Sequence, residues 1–204
     1  MKKLLWKIPV WFFGVTFALV VVLRFLPIYV TPLVVVRVVE AMFDEKRDVR
    51  IEKHWVSIDK MSPNIVRAAI AAEDDVFLSH YGFSVNGIRK AYEDNKKGKK
   101  LKGGSTISQQ TAKNVFTSGS RTWIRKGVET YFTLLIELVW GKERIMEVYL
   151  NVVELGDGVY GVEAASQRYF NKSAARLSAP QAALLVASLP SPRRYSVTNP
   201  GPYM

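Results

Sequence analysis

Residues 125–140 read RKGVETYFTLLIELVW, and their spacing decides the fold class. Val128, Tyr131, Phe132, Leu135, Ile136, Val139 and Trp140 recur at steps of three and four, the period of one helix face. Gly141 breaks that helix. Lys142 to Val153 forms another, with Ile145, Met146, Tyr149, Leu150 and Val153 on one side. Farther along, Gly156, Gly158 and Gly161 mark a turn before a helix through Ala164 and Tyr169. Ser178 and Gln181 make a capping box for a last helix, Ala179 to Leu189, which Pro190 and Pro192 stop. Towards the N-terminus, a helix spans Thr106 to Phe116. Ser62-Pro63 opens an earlier one that runs through Ile65, Val66, Ala69 and Ile70. Arg50 to Ile58 reads as a short extended segment. No strand pattern of any length appears, so the class is mostly α.

Three polar blocks interrupt these helices. Glu73, Asp74 and Asp75 are followed by Phe77, His80, Tyr81 and Gly82. Glu73 falls at a helix C-terminus, where the helix dipole opposes negative charge, a setting suited to a group that takes up a proton. The spacing of His80 matches no HExxH metal motif, and a structural hydrogen bond is the expected role. The second block, residues 103–114, reads GGSTISQQTAKN. Its glycines lead into a helix start, where backbone N–H groups favour anions. Ser105, Thr106, Gln109 and Gln110 add polar groups, and Lys113 and Asn114 follow one turn later. The spacing is not that of a P-loop, and an ordinary capped helix with a polar face explains it equally. The third block holds Arg121, Arg125, Lys126 and Glu129. Pairing of Arg125 with Glu129 across one helix turn is one reading. A second carboxylate that organises a pyrophosphate or a metal ion is the other. Two separated acids around a basic, hydroxyl-rich turn suit sugar-phosphate chemistry. Ser57-Ile58-Asp59-Lys60 matches SxxK by chance, because no SDN or KTG follows.

The chain has 204 residues, enough for one well-buried core, and a net charge of +11. From Ile8 to Leu23 it carries no charge, and beyond Arg24 the apolar character continues to Val30. With Arg24 snorkelling, that length fits a bilayer-spanning helix. Lys2, Lys3 and Lys7 precede it and keep the N-terminus cytoplasmic. No small-x-small cleavage site follows, which argues for a retained anchor rather than a signal peptide. Residues 1–32 are therefore read as cytoplasmic tip and transmembrane anchor, 33–60 as a membrane-proximal segment, and 61–204 as the working domain. Leu33 to Phe43 reads as a helix at the membrane interface or leading into the core. A basic exported domain suits anionic lipid head groups and phosphorylated substrates rather than nucleic acid. Lys96 to Lys102, five lysines with glycine, reads as a solvated loop. The absence of cysteine fits an exported protein without disulfides.

Taken together the blocks resemble the peptidoglycan glycosyltransferases, glycosyltransferase family 51. The resemblance rests on EDDVFLSHYG from Glu73 to Gly82, GGSTISQQ from Gly103 to Gln110 followed by TAKN, and the Arg125 to Glu129 block. KERIMEVYLN from Lys142 to Asn151 and ASQRYFNK from Ala165 to Lys172 complete it. With an N-terminal anchor and no transpeptidase domain, the chain looks like a monofunctional member. The resemblance implies a lysozyme-like, two-lobed helical domain that polymerises lipid II into β-1,4-linked glycan, with inversion and release of undecaprenyl diphosphate. The growing strand is the donor and lipid II the acceptor. By the same resemblance Glu73 is the general base, and Glu129 the second catalytic carboxylate. Lys113 and Arg121 hold the donor diphosphate, while Asp74, Ser105, Thr106, Gln109, Gln110 and Asn114 line the substrate cleft. The implied place is the bacterial inner membrane, single-pass, with the domain outside the cytoplasm.

The sequence departs from the family at Gln181, where Glu is frequent, and Gln still completes the capping box. It also ends at Met204, just after Pro200-Gly201-Pro202, where relatives run into a further helix. It is read either as a truncated product or as a lobe that closes differently. Whether Mg²⁺ or Mn²⁺ is required stays open, as do oligomeric state, glycan length and recruitment by cell-division or elongation proteins. Two rival functions remain: a lysozyme-like enzyme that cleaves peptidoglycan, and a non-catalytic membrane-anchored module that binds lipid or cell wall. The cations at 113 and 121 argue against cleavage, which needs an acid at the scissile bond instead.

Overall fold

A computed structural model describes residues 7–44, 49–96, 104–117, 122–202 and 204. The fold is mostly helical, consistent with a lysozyme-like domain. In chain order the α-helices are α1 (Lys7–Leu23), α2 (Pro32–Met42), α3 (Pro63–Glu73), α4 (Val85–Lys96), α5 (Ile107–Phe116), α6 (Trp123–Val139), α7 (Gly141–Val152), α8 (Val162–Phe170) and α9 (Ala179–Ser188). Hydroxyl side chains start many of them. Ser62 Oγ accepts from Asn64 N–H ahead of Pro63, Thr106 and Gln109 form a full capping box, and Thr122 caps α6. At α9 the Gln181 side chain accepts the Ser178 N–H, as a Glu would.

Helix α5 is the centre of the domain. Ile107, Ala112 and Val115 are buried, and α6 and α7 pack along it. The core continues through Phe77, Ile136, Ile145, Met146 and Tyr149 to α8, and α9 packs on α3. Burying these side chains contributes roughly 1.5–3 kcal/mol each. Asn151, fully buried on α7, binds both backbone groups of Val56 and so ties the segment before α3 to the core.

Three differences from the sequence expectation stand out. A small sheet exists: β1 (Glu52–Lys53) pairs parallel with β3 (Val159–Tyr160), which pairs antiparallel with β2 (Glu154–Gly156). Its strands are two or three residues long, too short to show alternation. The expected extended segment holds β1, and the glycine turn became the β2–β3 hairpin. Gly158 and Gly161 both have positive φ, and a Cβ at either would strike the backbone of Arg50 or Asn151. Helix α4 was not foreseen, because its sequence is largely polar. Of the lysine-rich loop, only Lys96, at the end of α4, lies within the described residues.

The third difference concerns the N-terminus. Among the described residues no helix is long and apolar enough to cross a membrane. Helix α1 has 17 residues, about 25 Å of rise against the roughly 30 Å of a hydrocarbon core. The apolar continuation from Phe25 to Val30 does not prolong it, since the chain turns at Arg24 to Leu26. Helix α1 docks on α6: Thr16 Oγ1 lies 2.7 Å from Tyr131 Oη, and Phe12 and Phe13 contact the Tyr131 ring. Trp140 Nε1 donates to Val20 O, and Arg144 binds the carbonyls of Leu23 and Leu26. Away from these contacts Ile8, Val10, Trp11, Val15, Phe17, Leu19 and Val22 of α1 are exposed, as are Val35, Val39 and Phe43 on and after α2. Helix α2 packs on α5 and buries Val34.

Candidate active site

Glu73 is the last residue of α3 and is half-buried. Its Oε2 accepts from Gln110 Nε2 at 2.7 Å. Gln110 Oε1 receives the Tyr149 hydroxyl at 3.4 Å, and Tyr149 is fully buried. Burial, reinforced by Glu73 and Asp74, pushes the Tyr149 phenol well above its usual range. Its proton therefore stays in place and fixes the amide with its N–H₂ towards Glu73. Among the described residues nothing bonds Glu73 Oε1.

Asp74 goes elsewhere, although it is the next residue. It is 6 % exposed, and its Oδ2 accepts from Ile107 N–H and lies 2.9 Å from His80 Nε2. His80 Nδ1 accepts from Gly82 N–H, so the imidazole carries its proton on Nε2 and donates it to Asp74. Thr106 Oγ1 donates to Gly82 O. Asp74, His80, Thr106 and Gln109 thus form a joint that locks the end of α3 to the start of α5. The hydrogen bond expected of His80 is present. Ser105, part-buried, precedes this joint directly.

A cavity of about 300 Å³ opens beside Gln110 and is lined along α5 by Lys113, Asn114 and Thr117. Arg125 of α6 enters it, as do Arg37 of α2 and Glu154 of β2. Leu33, Val153, Leu189 and Pro192 supply apolar wall. Lys113 lines the cavity with an exposed side chain, although protein packed around it takes away part of its solvation. That loss of solvent lowers its pKa, partly offset by Glu129 and Glu73, while Arg125 and Lys126 lower it further. Glu129 is 3 % exposed, and its two oxygens are held by Arg125 Nη1 at 2.7 Å and Lys126 Nζ at 2.5 Å. The ion pair given as one reading of the third block is therefore present, and its charges act on Lys113. Arg121 lies outside the described residues.

The arrangement offers a carboxylate with a free oxygen on one side and a cationic pocket on the other, joined by Gln110. Such a pocket takes an anion, and α5 holds both sides in register. Among the described residues no group of three or more His, Asp or Glu side chains comes together. The donors around the cavity are mainly cations, and these residues do not make a protein cage for Mg²⁺ or Mn²⁺. Sequence reasoning missed Arg37 and Glu154 as parts of the pocket. The one signal was charge inside an otherwise apolar run, Arg37 with Glu40 in one case and Glu154 in the other.

A sequence model described as Transglycosylase matches residues 40–202. The chain belongs to the transglycosylase family. Relatives agree along nearly its whole length. A biosynthetic peptidoglycan transglycosylase of Bdellovibrio bacteriovorus is 50 % identical over 204 residues, covering 100 % of this chain and 81 % of the relative. One from Caulobacter vibrioides is 52 % identical over 91 % of this chain and 78 % of its own. One from Bacteroides thetaiotaomicron is 50 % identical over 96 % and 78 %. The transglycosylase match begins within α2, so it takes in the joint, the small sheet and the cavity wall apart from Leu33 and Arg37.

Proposed function

We propose that the protein polymerises lipid II, with Glu73 as general base and the cavity of Lys113 and Arg125 as the diphosphate site. It is a glycosyltransferase of peptidoglycan synthesis and works at the cell envelope. The observation that carries the mechanistic reading is the hydrogen bond from Gln110 to Glu73, because Gln110 also lines the cationic cavity. A proton acceptor and an anion site thereby share one wall.

In this reading the 4-hydroxyl of lipid II attacks C1 of the growing strand from the face opposite the diphosphate. The new C1–O bond forms as the old C1–O(phosphate) bond breaks, and the configuration inverts. The hydroxyl proton passes to Glu73 Oε1, and undecaprenyl diphosphate departs with the bonding electrons. Lys113 and Arg125 stabilise the charge that develops on the leaving group, with Arg121 assigned the same task from the sequence. Glu129 keeps Arg125 and Lys126 in place beside Lys113. Asp74, Thr106 and Gln109 serve through the joint, and Ser105 and Asn114 border the substrate path.

The exposed apolar side of α1 is assigned to the bilayer of the inner membrane, with the domain outside the cytoplasm. Both substrates are lipid-linked, so a cleft held at the head groups meets them by lateral diffusion. Incubation of the detergent-solubilised protein with labelled lipid II tests the reading. Lengthening glycan is the expected product. Cleavage of finished glycan with no lengthening would replace it with the lysozyme-like alternative.

A further inference from the structure

Glu154 lines the cavity and takes no part in the reaction as written above. Its side chain is 7 % exposed. Oε2 receives Arg37 Nε at 3.3 Å, while Oε1 is buried with no hydrogen-bond partner. An unpaired buried carboxylate oxygen is costly to keep. Arg37 does not require it, because Glu40 binds the same guanidinium at 2.7 Å. Burial pushes the Glu154 carboxyl up, and Arg37 and Arg193 pull it back towards the ionised form. With Arg37 Nε donating to Oε2, the side chain is left with one oxygen unused in the wall of the cavity. Oε1 is closed off from solvent as the side chain stands, so meeting a ligand requires the carboxylate to turn towards the cavity that Glu154 lines.

The chemistry of the ligand narrows what that oxygen can meet. A carboxylate oxygen accepts and does not donate. A diphosphate diester and a polyprenyl chain carry no N–H or O–H at neutral pH, and phosphate repels a carboxylate. Sugar hydroxyls and an acetamido N–H are donors, and the sugar is bonded directly to the diphosphate that Lys113 and Arg125 attract. We propose that Glu154 is a substrate-positioning residue: its Oε1 accepts a hydrogen bond from a hydroxyl or acetamido N–H of the sugar next to the diphosphate, while Arg37 steadies the carboxylate. This rests on reading the cavity as the diphosphate site.

Glu154→Gln is the deciding variant. The amide has one oxygen, which the Arg37 N–H claims, so an N–H₂ group faces the sugar where an acceptor stood. Polymerisation measured against lipid II concentration should show KM raised about tenfold with kcat within about twofold, the sign of lost uniform binding. Inhibition by undecaprenyl diphosphate, which keeps the phosphates and lacks the sugar, should stay within about twofold of wild type. Glu154→Met should raise KM as much, and if it melts early the Gln variant carries the test alone. An unchanged KM overturns the proposal. So does a loss of undecaprenyl diphosphate inhibition in step with KM, which would reduce Glu154 to a prop for Arg37. A wild-type protein that fails to lengthen lipid II removes the assigned reaction itself, a result separable from either outcome.

Discussion

The joint at the start of α5 and the cavity farther along it are built from the same kinds of residue and behave oppositely. In the joint, Asp74, His80, Thr106 and Gln109 find their partners inside the chain. In the cavity, Lys113, Arg125 and Glu154 stand around open space, and one oxygen of Glu154 has no partner. Glu73 and Asp74 are neighbours in sequence and belong to different regions. One reaches the cavity through Gln110, and the other is committed to the fold. A polar motif is thus not one functional unit: some of its members build the site that the others occupy.

The sharpest way to break this contrast is at the two acids. Glu73→Gln should lower kcat by roughly 10²- to 10⁴-fold, the usual worth of a general base, with little change in melting temperature. Asp74→Ala should strand the Ile107 N–H and the His80 N–H and cost about 3 kcal/mol of stability, read in a denaturant melt. If Asp74→Ala abolished turnover with an unchanged melt, Asp74 would belong to the substrate path after all. A milder test is Tyr149→Phe. Without the hydroxyl, the Gln110 amide is free to flip its oxygen towards Glu73, and kcat should fall about threefold with KM unchanged. Equal losses in Tyr149→Phe and Glu73→Gln would contradict the ranking.

The smallest effect concerns Lys53, outside both regions. Its ammonium binds Tyr29 O, and burial lowers its pKa from 10.5 to about 8. Between those values the unfolded chain holds more protons than the folded one, so this group's penalty is relieved as pH rises through that window. Wild-type stability should therefore gain relative to Lys53→Met between about pH 8 and 10.5. Parallel stability curves would show that Lys53 stays charged in the fold.

The helices were legible because their starts carry hydroxyl caps and their apolar faces repeat at 3.6 residues. Glu73, Gln110 and Lys113 were grouped with Arg121 through the family resemblance, since the helix period alone does not bring the end of α3 to α5. What escaped was set by contacts distant in sequence. Residues 52–53 become a strand only because Gly158 lets the hairpin approach Arg50. Arg37 and Glu154 meet across more than a hundred positions, and neither neighbourhood advertises a pocket. The partners of Asp74 and Gln109 were hidden for another reason: sequence shows that a residue is polar, and not whether it is bonded inside the protein.

The fastening of α1 has a mechanical consequence. Arg144 and Trp140 grip its last turn, and Tyr131 grips its middle, so α1 moves with α6 and α7 as one piece. Were α1 to sit in lipid, as proposed, it would act as a lever rather than a tether. A bilayer that tilted it would then swing α6, and with α6 the Arg125–Glu129 pair beside the proposed diphosphate site.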